Sequence, residues 1–374
     1  MYKKLLNQCF TKGSCIFAHF DFPVENPRAQ NRNFQYTTTL AKINFMKKIK
    51  RILILLTKGI LIVLSVLLVI GIIYENIARN GSKHFLEERT GNFLDVGGHK
   101  LYFEKEGKGD LTVIFEAGSP ADHRIWESIV ANISKHTTTL TYDRAGLLWS
   151  ERGLLEKNPK NISTDLETLL NNGGFKKPYV IVGHSAAGRF LRPFIEKNQD
   201  DILGVVFIDP SHPEQYIRVP ENLRKYMGPT LPPNWLLKLM NETGLFRLYI
   251  GDRDQLIYKS IKSGGFYDEV EFLHNEMKEE SSNLNIPNTQ WEIPLTIISA
   301  GQNGKNFAPN AGAQIQKEVQ EYWDSLQIEI SKLSSKGKRI IAEKSGHMML
   351  KSESKLISDE ILKIIQLKDN IKND

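Results

Sequence analysis

The sequence predicts an α/β protein: a mostly parallel central sheet with helices on both faces and a helical insertion late in the chain. Three observations predict it. From residue 90 onward, short runs rich in Val, Ile, Phe and Tyr alternate with longer helix-like segments, the rhythm of parallel strands joined by crossover helices. One of those runs, Tyr179-Val-Ile-Val182, ends in Gly183-His-Ser-Ala-Ala187, whose small residues two places before and after Ser185 suit a sharp strand-to-helix turn. Finally, roughly eighty residues separate Pro210 from Pro294, several times an ordinary connection.

Taken in order, the chain begins with a basic arm. Of the net charge of +6, residues 1–51 carry about ten Lys/Arg against about two Asp/Glu, so the remainder is slightly acidic. A basic arm on an acidic body argues against a nucleic-acid groove in the folded part. Both cysteines, Cys9 and Cys15, lie in the arm; the rest of the chain holds no disulfide framework, thiolate zinc site or cysteine nucleophile. Residues 1–45 are polar and aperiodic, with no foldable pattern. Met46-Lys-Lys-Ile-Lys-Arg51 before an apolar run is itself a well-formed start for an exported protein, so Met46 is expected to be the true initiator or residues 1–45 a disordered extension.

Residues 52–74 are predicted to cross a membrane. Ile52 to Ile73 contains a single charge, Lys58, and is close to the roughly 20 residues a spanning helix needs; Tyr74 stands where an interfacial aromatic belongs. Two readings compete: a cleaved signal peptide, but the run exceeds the usual apolar length and no clear small-x-small site follows it, and a buried core helix, but its apolar character runs all round with no polar face. Lys47, Lys48, Lys50 and Arg51 precede the run. The positive-inside rule then gives a single-pass protein of the cell membrane, with its N-terminus cytoplasmic and its folded part on the outer face.

The strands follow. Asn92 to Glu104 reads as a hairpin around Gly97-Gly98. Further strands are Leu111–Glu116, Thr137–Tyr142, Tyr179–Val182, Gly204–Pro210, Pro294–Gly301 and Lys338–Glu343. The core therefore occupies residues 90–210 and 294–368. Residues 211–293, with amphipathic pieces at Trp235–Met240 and Val270–His274, form the insertion, read as a helical cap over the carboxyl edge of the sheet. A last helix from about Ser352 to Leu367 sets Leu356, Ile357, Ile361, Ile364 and Ile365 on one stripe.

These landmarks together resemble the α/β-hydrolase superfamily, in its serine esterase/lipase-like branch with a helical cap. The resemblance covers about residues 90–368. It rests on the hairpin Val96-Gly-Gly-His-Lys-Leu101, on Phe115-Glu-Ala-Gly-Ser119 where the family often has a His-Gly pair, on Tyr142-Asp-Arg-Ala-Gly146, on the elbow Gly183–Ala187, and on Ser345-Gly-His347 after the last strand. It implies hydrolysis of a carboxylic ester or related acyl compound, with Ser185 as nucleophile and His347 as base. Haloalkane dehalogenases and epoxide hydrolases resemble the chain in fold but carry an aspartate where it has Ser185.

The acid of the triad is the point of departure. Many relatives place it after the next-to-last strand, where this chain reads Gly301-Gln-Asn-Gly-Lys-Asn-Phe-Ala-Pro-Asn310, without a carboxylate. Asp209, at the end of the strand after the elbow, is the preferred acid, with Glu343 and Glu116 as weaker candidates on or at the end of strands. The oxyanion hole is assigned to the N–H groups of Ala186 and Ser119, with Gly118 allowing close approach and Gly183 and Ala187 shaping the elbow. Asp143 and Arg144 are expected to pin their loop, and His123 and Trp126 to pack; Leu148 stands where the family has a glycine. Asn132, Asn161 and Asn241 begin N-x-[ST] strings that matter only in a glycosylating pathway. No phosphate-loop or metal-ligand spacing occurs, so no cofactor and no metal are predicted; the partners are the membrane and a small-molecule or lipid acyl substrate. A non-catalytic binding protein, an acyltransferase and a cofactor-free haloperoxidase remain as other readings of the same scaffold.

Overall fold

The computed structural model describes residues 27–87, 92–227, 232–246, 264–276 and 290–373. Residues 1–26, which include Cys9 and Cys15, lie outside the described residues, as do 228–231, 247–263 and 277–289 of the predicted cap.

The chain divides into two units, Met1–Ile70 and Gly71–Asp374. A single helix, Pro27–Glu87, runs through the described part of the first and into the second. Its stretch Lys42–Ala78 is long and apolar enough to cross a membrane, with a mean hydropathy of 2.9 and none of its most apolar window buried. The helix starts at Pro27, well before the apolar run, which corrects for residues 27–45 the expectation of no foldable pattern. Ala29, Gln30, Leu40, Ala41 and Lys42 are all good helix formers, and once the apolar segment has nucleated a helix, each further residue adds a hydrogen bond at little expense.

The second unit is built on one eight-stranded sheet. Its strands are β1 (Asn92–Asp95), β2 (Lys100–Glu106), β3 (Thr112–Glu116), β4 (Thr138–Tyr142), β5 (Tyr179–His184), β6 (Ile202–Ile208), β7 (Leu295–Ala300) and β8 (Gly337–Ala342). Their order is β1-β2-β4-β3-β5-β6-β7-β8. Pairing is antiparallel for β1·β2 and β2·β4 and parallel from β4 onward. The first hairpin turns as predicted: the Asp95 carboxylate accepts from the N–H groups of Gly97 and Gly98 at 2.8 and 3.0 Å.

The continuous apolar strands reflect burial on both faces. On one face Ile114, Ile181, Val205, Phe207 and Ile297 pack with Leu166, Phe194 and Ile330 from the covering helices. On the other, Val113, Phe115, Val180, Val182 and Ile298 meet Ile129, Ile133, Ile357 and Ile361. The last helix, Ser354–Asn373, thus buries its predicted stripe. The helix Pro159–Asn172 begins with Pro159 in its first turn and with the Asn158 side chain accepting from the Asn161 N–H, a matched start signal.

In the described parts of the insertion, short helices occur at Arg224–Met227, Asn234–Glu242 and Gly265–Glu276. Leu223 and Met227 pack on Val319, Trp323 and Leu326 of the helix Ala313–Ser331. Trp291 and Ile293, at the end of the insertion, pack instead with the sheet core, and Trp291 bridges to Ser334.

Candidate active site

Sheet register brings the predicted residues together. His184 of β5 pairs with Ile208 of β6, so the next residues, Ser185 and Asp209, leave adjacent parallel strands side by side at their carboxyl ends. The ladder continues past the strand ends: the Ser185 N–H donates to Ile208 O at 3.1 Å and the Asp209 N–H to Ile298 O at 2.8 Å. Both residues take positive φ, 55° for Ser185 and 43° for Asp209, a strained conformation for a residue with a side chain that typically costs about 1–3 kcal/mol. At Ser185 the turn leads directly into the helix Ala187–Phe190. Gly183 allows this tightness, because a Cβ there would lie 2.8 Å from the Ala187 Cβ and 3.0 Å from the Phe207 ring.

His347 reaches both residues. Its Nε2 lies 2.9 Å from Ser185 Oγ and its Nδ1 2.6 Å from Asp209 Oδ2. Asp209 is fully buried. Besides His347, it accepts from the Ala300 N–H at 3.0 Å, Trp323 Nε1 at 2.9 Å and Asn303 Nδ2 at 2.7 Å. Burial by itself would raise its pKa, but the His347 hydrogen bond and charge and the other donors outweigh that and hold it below the usual carboxylate range. The imidazole is boxed by aromatic neighbours: Phe307 at 5.7 Å, Trp323 edge-on at 6.1 Å and His184 at 4.8 Å between ring centres. Such an arrangement can draw the proton from Ser185 through Nε2 while Nδ1–H stays fixed on the carboxylate.

The loop Ala117–Ser119 lies against Ser185. A Cβ on Gly118 would come 2.9 Å from the Ser185 Cβ and 3.1 Å from His184 Nδ1, so only glycine fits without displacing the elbow. Ala186, buried, follows Ser185 at the start of the short helix. Glu116 does not join His347; it is buried with Tyr142 and Arg144. Glu343 is exposed and follows β8.

Asp143 and Arg144 are both buried and bonded. Asp143 accepts from the His123 N–H and Nδ1 at 3.0 and 2.7 Å and from the Trp149 N–H at 3.2 Å. Leu148 has a φ of 34°, which explains why a glycine suits that place in the family. Asp122, His123 and Asp143 form a group of metal-ligand type, yet their atoms are engaged internally, Asp122 with Arg124 and Asp143 with His123 and Trp149. His123 and Trp126 are buried, and His123 also bonds as described.

Sequence reasoning missed Asn303, Trp323 and His184. Asn303 lies in the loop that lacks a carboxylate, and it sends a donor to Asp209 from where relatives send an acid. An amide at a vacant acid position is a signal that was open to reading; Trp323, far along a helix, left none. His184 Nε2 lies 3.0 Å from the His347 carbonyl, so it donates there and steadies the loop carrying His347.

The histidines also set a pH dependence of stability. Burial holds His184 and His212 neutral, with pKa values pushed down to about 3 and about 4 from 6.5. Between those values and 6.5 the unfolded chain binds more protons than the folded one, so stability falls as pH drops below about 6.5. His123 behaves oppositely. Burial works against its charge, but Asp143 and Glu104 outweigh burial and raise it to about 9 from 6.5. Its contribution is complete below 6.5 and is lost as pH rises toward about 9. The melting temperature is therefore expected to peak near neutrality, and His212→Gln to flatten the acid side. A profile flat between pH 4 and 6.5 in the unmodified protein would contradict this.

The nucleophile elbow on the fifth strand, the histidine after the eighth and the sheet order define an α/β-hydrolase. The chain belongs to that family: the alpha/beta hydrolase fold family matches residues 112–351. It is similar to the uncharacterized protein YqjL of Bacillus subtilis, 24% identical over 255 residues that cover 68% of this chain and 83% of that one. It is also similar to an AB hydrolase superfamily protein of Gibberella zeae, 21% identical over 317 residues, 76% of this chain and 97% of that one. Among solved structures it shares the fold of the Cif epoxide hydrolase from Acinetobacter nosocomialis, with a TM-score of 0.58 and 15% identity over 78% of this chain and 96% of that one.

Proposed function

We propose that the protein is a membrane-anchored serine hydrolase that cleaves a carboxylic ester or related acyl compound through an acyl-enzyme. The observation that carries this reading is the continuous chain from Ser185 Oγ to His347 Nε2 at 2.9 Å and from His347 Nδ1 to Asp209 Oδ2 at 2.6 Å. Ser185 Oγ attacks the acyl carbon while His347 Nε2 takes its proton. The tetrahedral oxyanion is held by the N–H groups of Ala186 and Ser119. As the C–O bond to the leaving alcohol breaks, His347 returns the proton to that oxygen, leaving Ser185 acylated. Water then attacks the acyl carbon with His347 again as base, and the acid departs with Ser185 restored. Asp209 keeps the imidazole in the Nδ1–H tautomer and stabilises the imidazolium in both steps.

Epoxide hydrolysis, the activity for which the Acinetobacter neighbour is named, does not fit here, because attack on an epoxide in that branch uses an aspartate and Ser185 offers a hydroxyl. A purely binding role loses its main support, since it rested on a displaced acid and Asp209 is bonded to His347.

The apolar helix supports the anchored part of the proposal. Lys42–Ala78 exceeds the roughly 20 residues a spanning helix requires, and Lys47, Lys48, Lys50 and Arg51 at its N-terminal side favour a cytoplasmic N-terminus and an outward-facing catalytic unit. A catalytic unit tethered to a bilayer meets lipophilic esters at high local concentration. The test uses the full chain in detergent with p-nitrophenyl esters of increasing acyl length, and alkaline carbonate extraction of membranes that contain it. Saturable hydrolysis by protein that resists extraction is the expected result. Absence of hydrolysis overturns the catalytic part, and release by carbonate overturns the anchor.

A further inference from the structure

Arg144 is buried behind the loop Ala117–Ser119, and all five of its guanidinium donors have acceptors. Nη1 donates to Ala117 O at 2.6 Å and to the Glu116 carboxylate. Nη2 donates to Gly118 O at 3.0 Å and to Glu269 Oε2 at 2.9 Å, and Nε donates to Glu269 Oε1 at 2.8 Å. Its partner Glu269 belongs to the helix Gly265–Glu276 of the insertion and is fully buried. It is 125 residues away in sequence and takes a fork-on-fork pair from Arg144, the geometry that fixes a guanidinium plane most firmly. Lys157 Nζ approaches the same carboxylate at 3.3 Å.

One of the two carbonyls that Arg144 holds, Gly118 O, belongs to the peptide that carries the assigned oxyanion donor Ser119 N–H; the other, Ala117 O, fixes the preceding peptide of the same loop. A trans peptide points its N–H opposite to its C=O, and the Gly118–Ser119 bond is trans. The Gly118 carbonyl is held from one side by Arg144 and by the Ala121 N–H at 2.8 Å, which turns the Ser119 N–H to the other. Gly118 itself is packed against Ser185. We propose that Glu269 and Arg144 are positioning residues through which the docked insertion sets the oxyanion hole: Glu269 fixes the guanidinium plane, and that plane fixes the Ser119 N–H. The proposal rests on the serine-hydrolase reading above and adds a dependence of turnover on a cap residue that touches neither Ser185 nor His347.

The test compares the full-length protein with Glu269→Gln, Arg144→Lys and the double variant, using p-nitrophenyl butyrate as substrate and a fluorophosphonate to titrate active sites. Per titrated site, each single variant is expected to lose about 10- to 100-fold in kcat with KM nearly unchanged, short of the loss from removing an oxyanion donor outright. The affinity of a trifluoromethyl ketone, which places an oxyanion in the hole, should fall in parallel. The double variant should be no worse than the poorer single one, because both act through one guanidinium. A merely structural role would lower the melting temperature and the number of titratable sites, leaving kcat per site and ketone affinity as in wild type; that result overturns the proposal. Should Glu269→Gln not fold, Glu269→Asp, which retains the charge but shortens the reach, is read in the same way. A wild type that neither hydrolyses the ester nor reacts with the probe overturns the hydrolase reading and this proposal with it, and is distinct from a wild type that is active while its variants are unchanged.

Discussion

Ser185→Ala is expected to lower kcat for an activated ester by about five to six orders of magnitude, the scale seen when a triad nucleophile is removed. KM should change little, since the acyl pocket is untouched. The fold should persist: the Ser185 hydroxyl is hydrogen-bonded to His347 Nε2, and the backbone bonds that close the elbow, from Gly188 and Ser211 to Ser185 O at 3.0 and 2.8 Å, do not involve the side chain. Steady-state kinetics alongside a circular-dichroism melt check both parts. Activity within tenfold of wild type in the variant would place the reacting group elsewhere.

Asp209→Asn is expected to reduce turnover by about 10²–10⁴ while leaving the protein folded. The four donors around Asp209 explain the size and direction. An asparagine satisfies the Ala300 N–H and Trp323 Nε1 with its one oxygen, where Oδ1 sits now. Its amide nitrogen then occupies the place of Oδ2, facing Asn303 Nδ2 and His347 Nδ1. The imidazole must present a lone pair to that amide, which moves its proton to Nε2 and removes the base from Ser185. The donor left facing a donor at Asn303 costs about 1–3 kcal/mol of stability, visible as a lower melting temperature. A pH–rate profile and a melt on the same variant check the two effects. Wild-type turnover in a folded Asp209→Asn would assign the acid to another residue.

Much of this was legible in the sequence because strands buried on both faces read as unbroken β-branched runs. Val180, Ile181 and Val182 pack alternately against the two layers of helices, so apolarity alone marked β5, and Gly183 and Ala187 marked its end. The order of strands was less legible. That β3 lies between β4 and β5 depends on crossover geometry that no local string records. Ser185 and His347 were readable from motifs that follow strands, and Asp209 from a vacancy elsewhere. The donors around Asp209 were not: Trp323 arrives from the middle of the helix Ala313–Ser331, and only packing aims its indole. Arg144 was legible as a residue that pins its loop, but its pairing with Glu269 was hidden, because the two belong to different layers 125 residues apart and Glu269 looks like an ordinary surface charge on its own. The helix that begins at Pro27 escaped notice for another reason: its early residues are polar, and helix propensity without apolar periodicity is a weak signal.

The most direct measurement treats the full-length protein with a fluorophosphonate and maps the adduct by peptide mass spectrometry. A stoichiometric adduct on Ser185, absent in Ser185→Ala and slowed in Asp209→Asn, is the result predicted for a hydroxyl activated by His347 and Asp209. A folded protein that takes up no probe, or takes it up on another residue, would contradict the account.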